Sequence, residues 1–337
     1  MARTVAELSP GTRLTDYISL GVVAKTFPVE VINRVLAETG TASVRQRELP
    51  AHVVIYYVIA LALYMQVSYR EVLRCVFEGV QWLLGEGAVL KITGKSGISQ
   101  ARTRLGAAPV QRLYDAIVAP IAVPATQGAW YRERRLVTLD GTTFDVADTD
   151  ANVAAFGRPG ASRGASAFPQ LRLMALVENG THVLCGAAID AYAVGETTLA
   201  RRVWPRLQPG MLCLADRSFF GWAAWTQARA TGADLLWRLK KNLQLPVQTA
   251  HADGSYQSVI YPSLRDRRQQ TNGVAVRVVD YHLEGVPDAE PLYRLVTTLD
   301  PTVAPAAELA ALYHERWEIE TALAECAATI KSAGADD

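Results

Sequence analysis

Two short apolar runs in this chain each close on an aspartate: LVTLD at 136–140 and MLCLAD at 211–216. A run of this length and composition reads as a buried strand, and the carboxylate at its end is delivered to the open edge of a sheet. One such aspartate alone is commonly a loop start or a helix cap. Two of them suggest a shared requirement, because an ionised carboxylate beside apolar strands is costly unless it is paired or binds a cation. Asp140 and Asp216 are therefore candidate ligands of a divalent metal on an α/β scaffold.

The surrounding pattern extends that scaffold. LRLMALVE (171–178) and THVLCGAAID (181–190) read as a hairpin joined at Asn179-Gly180. A helix is predicted over 196–204, a second over 222–230, and the run ADLLWRL (233–239) reads as a further strand. Three strands, helix, strand, helix, strand is the element order of a ribonuclease-H-like fold. Residues 240–300 depart from it, since SVIYPSL, VAVRVVDYHL and LYRLVTTLD all read as strands of a β-rich insertion. An amphipathic helix over about 306–325 follows, on which Tyr313, Arg316 and Glu320 stand at i, i+3 and i+7. That spacing puts them on one stripe, so a helix laid across the sheet would aim Glu320 at the two aspartates. The competing reading is an exposed charged helix held by local ion pairs, and Glu315 and Glu318 read as solvated surface.

Residues 1–130 read as an all-helical domain. Pro28 opens a helix that ends at Gly40, Pro50 opens an apolar one, and Ser68 with Glu71 forms a capping box before Val72, Val76 and Val80. Between 91 and 112, Lys91, Lys95, Arg102, Arg104 and Arg112 surround one short predicted helix. They either neutralise phosphates or form a solvated basic face. Gly94-Lys95-Ser96 is not a nucleotide-binding loop, because the position five before Gly94 is Val89. Net charge is only +1, but it is unevenly placed: residues 1–135 carry 16 Lys/Arg against 10 Asp/Glu, and residues 136–337 carry 18 against 23. A basic binding module before a carboxylate-bearing one fits that asymmetry. The four cysteines form no C-x-x-C pair, no secretory signal opens the chain, and the apolar run at 53–65 is shorter than the roughly 20 residues a bilayer needs. A cytoplasmic protein with reduced thiols is expected.

Other cations are open to two readings. Arg158 and Arg163 in the loop GRPGASRGASA (157–167), which reads as mobile surface, Arg238, Lys240 and Lys241, and Arg265, Arg267 and Arg268 either track a DNA backbone or solubilise the surface. The group around Lys240 is the strongest of these. Trp237 is either a core residue or a platform for an unpaired base, and strand spacing favours the core.

LDGTTFDV (139–146), the N-x-x-x-F-G-R-P run at 152–159, LADRSFFG (214–221), LVTTLDP (295–301) and Y-x-x-R-W-x-x-E (313–320) together carry a resemblance. Over roughly residues 10–325 the chain resembles the bacterial insertion-sequence transposases of the DDE type, specifically the insertion-sequence-four group with its tyrosine-arginine-glutamate-lysine signature. The resemblance implies that Asp140, Asp216 and Glu320 are the catalytic, metal-binding triad holding two ions of Mg²⁺ or Mn²⁺. It implies that Tyr313 and Arg316 contact DNA, joined by Lys240, Lys241, Arg102 and Arg104. It also implies double-stranded DNA as partner, both terminal inverted repeats and target, with a homodimer moving the element by cut-and-paste through a hairpin at its ends. The helical domain 1–130 would read the repeats and residues 131–325 would catalyse.

The signature's lysine, seven residues beyond the glutamate, is Ala327 here. Residues 326–337 are accordingly expected to be a divergent tail left by a truncation or frame shift. Lys331 lies about three helical turns beyond Glu320, on the same face if the helix persists. Two alternatives follow: a non-catalytic DNA-binding remnant that represses intact copies, or a general nuclease or resolvase on the same fold.

Overall fold

Short apolar runs after residue 130, buried on both faces at the centre, build one large sheet. The computed structural model describes residues 20–43, 49–63, 72, 76, 95–161, 164–165, 168–240, 243, 245–283 and 290–333. The expected helix after Ser68 and Glu71, and the side chains of Lys91, Lys95, Arg163, Lys241 and Lys331, lie outside the described residues. The chain divides into two compact units, the first formed by residues 1–118 with 327–337 and the second by residues 119–326.

In the first unit, helices span Leu20–Thr26, Val29–Glu38, Ala51–Leu63, Lys95–Leu105 and Ala108–Ile117. Pro28 stands immediately before the second of these and Gly40, at φ +66°, follows its end. Both match their expected roles, since proline presets the first turn and glycine tolerates the left-handed exit. The Ala51–Leu63 helix buries Val53, Val54, Ile55, Tyr56 and Tyr57 consecutively, against Ile32, Val35, Leu36, Ile98, Leu105 and Leu113. Tyr56 satisfies its hydroxyl by donating to the Phe27 carbonyl at 2.7 Å. No helix among the described residues is long and apolar enough to cross a membrane.

In the second unit the strands are β1 (Trp130–Tyr131), β2 (Arg134–Asp145), β3 (Gly160–Ala161), β4 (Gly164–Ala165), β5 (Gln170–Glu178), β6 (Leu184–Ala191), β7 (Met211–Ala215), β8 (Asp234–Arg238), β9 (Thr249–Ala250), β10 (Tyr256–Ile260), β11 (Val274–Tyr281) and β12 (Tyr293–Thr297). The main sheet has the order β6-β5-β2-β7-β8-β12-β11-β10-β9. β6, β5 and β2 are antiparallel, while β7 and β8 run parallel to β2. This is the ribonuclease-H-like arrangement that the element order predicted. The β-rich insertion is not a separate layer: β12 pairs antiparallel with β8, so its strands widen the same sheet.

Parity sorts the sheet into two faces. Val137, Leu139, Cys213, Ala215, Leu235 and Trp237 pack with helices Glu196–Val203 and Trp222–Arg229 through Leu199, Val203, Trp225 and Ala228. Leu136, Leu212, Leu214 and Leu236 pack on the other face with Leu309 and Tyr313 of the Ala306–Tyr313 helix.

Three local expectations are corrected. SVIYPSL is not one strand, because β10 stops at Ile260, Pro262 removes a ladder donor, and Ser263 caps a helix at Leu264–Gln269 by accepting from the Asp266 N–H. The glycine-rich loop contains the short β3–β4 ladder, Gly160↔Ala165 and Ala161↔Gly164. The closing helix is interrupted by a 3₁₀ turn at His314–Trp317 before the Glu318–Ala333 helix resumes.

Candidate active site

The parallel ladder between β2 and β7 ends at the pair Leu139↔Ala215. The next residue on each strand is a carboxylate, Asp140 and Asp216, so the two stand side by side across one strand spacing of about 4.8 Å. Because Leu139 and Ala215 face the helices at Glu196–Val203 and Trp222–Arg229, alternation turns both aspartates to the opposite face, toward the Ala306–Tyr313 helix. Asp216 closes its strand as expected. Asp140 does not, since β2 continues to Asp145 paired with β5 alone.

Burial pushes the Asp140 carboxyl above its ordinary value, and the neighbouring Asp216 adds to this. The Gly141 N–H, donating at 2.8 Å, and the Arg316 guanidinium oppose the rise. A Cβ at Gly141 would stand 2.9 Å from Met174 Cε, so a side chain there would displace the end of that methionine.

The closing segment supplies the cation. Arg316 Nη1 donates to Asp140 Oδ2 at 3.0 Å, and the guanidinium lies 5.2 Å from the Trp317 ring centroid and 6.0 Å from that of Tyr313. Arg316 is buried, and its Nε has no hydrogen-bond partner among the described residues. The Tyr313 hydroxyl donates to the Ala215 carbonyl at 3.2 Å, which anchors the helix one residue before Asp216. Burial pushes that hydroxyl well above its ordinary range, Arg316 and Arg238 oppose the rise, and Asp216 adds to it.

The predicted site residues divide into those that meet and those that do not. Asp140, Asp216, Tyr313 and Arg316 meet. Glu320 lies in the first turn of the Glu318–Ala333 helix and is exposed. Among the described residues no three Asp, Glu, His or Cys side chains stand close enough to hold a metal ion. The 3₁₀ turn accounts for this, since four residues at three per turn advance about 80° further than four at 3.6 per turn. The expected stripe is therefore rotated. The two aspartates by themselves fit a hard divalent cation: both offer carboxylate oxygens, and a shared cation would relieve their mutual repulsion.

Arg102 and Arg104 are exposed on the Lys95–Leu105 helix, whereas Arg112 pairs with Glu38 at 2.9 Å. Lys240 is exposed and lines an open cleft of about 340 Å³ with Phe220, Trp222, Tyr261 and Arg267. Arg158 is paired with Asp148, and Arg265, Arg267 and Arg268 are exposed. Trp237 is a core residue, wholly buried with its ring 5.4 Å from that of Trp225.

Sequence reasoning missed the two groups beside Asp216. Arg217, the next residue, pairs with Glu290 at 3.0 Å, and Arg238 pairs with the same Glu290 at 2.8 Å. Arg217 was legible from its place in LADRSFF. Glu290 carried no signal, because it meets Arg217 and Arg238 from far along the chain.

Residues 17–115 match the family model for the insertion element 4 transposase N-terminal region, and residues 131–330 match that for the transposase DDE domain. The chain is 25% identical over 328 residues to "Transposase InsG for insertion sequence element IS4" of Escherichia coli (strain K12), covering 96% of this chain and 70% of that protein. It is 27% identical over 203 residues to "Putative transposase InsZ" of the same organism, covering 60% of this chain and 65% of that protein.

Proposed function

Because this chain belongs to the insertion-element-4 transposases and carries their DDE domain, we propose that Asp140, Asp216 and Glu320 are its metal-binding catalytic triad. The observation that supports this is the side-by-side placement of Asp140 and Asp216 on one face of the parallel pair, under Tyr313 and Arg316. Divalent metal is the cofactor of DDE domains, and Mg²⁺ or Mn²⁺, as two ions, is the form proposed here. Bound there, the ions supply Lewis-acid stabilisation to the attacking and leaving oxygens of an in-line displacement at phosphorus.

The chain's own groups prepare that chemistry. Arg316 keeps the Asp140 carboxyl from rising further, and so keeps it available as an ionised ligand. Tyr313, committed to the Ala215 carbonyl, fixes the end of the Ala306–Tyr313 helix against the sheet. Glu320 completes the donor set once the side chain turns inward from its exposed position. Arg102 and Arg104, with Lys240 and Lys241, neutralise phosphates of double-stranded DNA, whereas contact of DNA with the buried Tyr313 and Arg316 requires them to leave the Ala215 carbonyl and Asp140. The helical domain 1–130 reads terminal inverted repeats, the domain 131–325 cuts and joins to target DNA in the bacterial cytoplasm, and two copies act together.

The exposed position of Glu320 favours a second reading, a DNA-binding remnant without catalysis. Strand cleavage of end-containing duplex in Mn²⁺ separates the two. The proposal expects cleavage by the wild type and its loss by about 10²–10³-fold in Asp140→Ala, a drop of the size seen when an essential electrostatic group is removed. Equal residual cleavage in both proteins would leave the remnant.

A further inference from the structure

We propose, resting on the reading above, that Arg217 and Arg238 form a binding site for a DNA phosphate beside the paired aspartates. In the free protein Glu290 holds that site as the phosphate's stand-in. The register of the sheet carries the first half. The β7–β8 ladder ends at Ala215↔Trp237, so Arg238 follows Asp216 across the next strand, just as Asp216 follows Asp140. Leu236 faces the Tyr313 side and Trp237 the other, so alternation puts Arg238 on the face of Asp140 and Asp216. A row of carboxylate, carboxylate and guanidinium therefore crosses three adjacent parallel strands. Arg217 adds a second guanidinium from the residue directly after Asp216.

Both cations converge on one oxygen. Glu290 Oε1 stands 3.0 Å from Arg217 Nη1 and 2.8 Å from Arg238 Nη2. Two guanidinium groups directed at a single carboxylate oxygen offer more N–H donors than that oxygen can accept. A phosphodiester carries the same single charge on two free oxygens and satisfies such a pair better, each arginine taking one oxygen. The site is built, since Arg238 is braced over the Tyr293 ring at 4.7 Å and Tyr293 stacks on Tyr281 at 5.2 Å. The Glu290 N–H donates to the Tyr293 hydroxyl at 3.2 Å, which seats the carboxylate's backbone at the same place. Glu290 thereby competes with DNA for the arginines next to the reacting centre, so that duplex must displace it.

The test is anisotropy of a labelled random-sequence duplex, without metal, over a salt series. Glu290→Gln is expected to bind about tenfold more tightly than wild type, the worth of releasing a charge-assisted contact. Glu133→Gln, the same change of charge at an exposed turn, should stay within about twofold. Arg217→Ala lowers the salt slope by about one, the loss of one phosphate contact. In Arg217→Ala/Glu290→Gln the tenfold gain shrinks. A gain in Glu290→Gln no larger than in Glu133→Gln, or one that persists undiminished without Arg217, overturns the proposal. Loss of duplex binding in every protein overturns this proposal and the transposase reading together. The expected binding pattern with no metal-dependent cleavage leaves the phosphate site standing and removes only the catalytic reading.

Discussion

Arg316 spans from the closing segment to the sheet to hold Asp140, with Nη1 3.0 Å from Oδ2. The pair does not fully offset burial, and Asp140 stays above its ordinary value. A folded-state value above the unfolded one means that ionising Asp140 costs stability. The cost is absent below the unfolded value of 3.8 and complete once pH exceeds the raised folded one. Asp140→Asn, which mimics the neutral carboxyl, is therefore expected to raise Tm of the metal-free protein at pH 7. The gain should vanish near pH 3, while cleavage is lost. Thermal melts at the two pH values check this, and a lower Tm at pH 7 contradicts it.

Asp253 titrates in the opposite sense. Burial alone would raise it, but the Ser255 hydroxyl and N–H, the Ala306 N–H and Arg277 hold it down at about 2. Its contribution is complete above the unfolded value of 3.8 and fades as pH falls through about 2. Arg277, 2% exposed, also donates to the Leu299 and Ala304 carbonyls, tying the insertion to the start of the Ala306–Tyr313 helix. Asp253→Asn leaves that arginine buried without its counter-charge, so a loss of about 3–5 kcal/mol is expected at pH 7. Urea unfolding measures it, and the two proteins should converge near pH 2.

Gly180 takes φ +78°, and a Cβ there would stand 2.3 Å from the Gln127 carbonyl oxygen. Its N–H donates to Glu318 at 2.8 Å, which seats the first turn of the Glu318–Ala333 helix on the β5–β6 turn. Gly180→Ala is expected to cost about 2–4 kcal/mol, combining backbone strain with a forced shift of neighbouring backbone. Denaturant titration reads the loss, and a change under about 0.5 kcal/mol, the size of an ordinary surface substitution, would contradict it.

Trp237, wholly buried against Trp204 and Trp225, is structural. Trp237→Ala should lose about 3–5 kcal/mol of stability, as large aromatic deletions in cores do. An unchanged melt with weakened binding to unpaired bases would restore the base-stacking reading.

The sheet was legible because Leu136 to Asp140 and Met211 to Asp216 are short apolar runs ending on a carboxylate, and runs of that length bury as strands between two layers. Gly40 and Pro28 were legible because their backbone chemistry permits little else. The 3₁₀ turn at His314–Trp317 was not, since HERW holds neither glycine nor proline and helical spacing continues through it. That break turned Glu320 away from the stripe where heptad arithmetic put it. The strand ending at Ile260 had its signal in Pro262, which the apolar run of SVIYPSL outweighed. Glu290 joins Arg217 and Arg238 across long sequence separations, and no local pattern encodes such a meeting.

The central claim is that acidic side chains from two neighbouring strands and the closing helix take up divalent cations together. Mn²⁺ binding to the protein on duplex DNA, followed by the loss of free-ion signal in electron paramagnetic resonance, tests it without requiring turnover. Wild type is predicted to bind Mn²⁺ with an affinity that falls by at least about tenfold, the worth of one charged contact, in each of Asp140→Ala, Asp216→Ala and Glu320→Ala. Identical binding curves for wild type and all three variants would contradict the account.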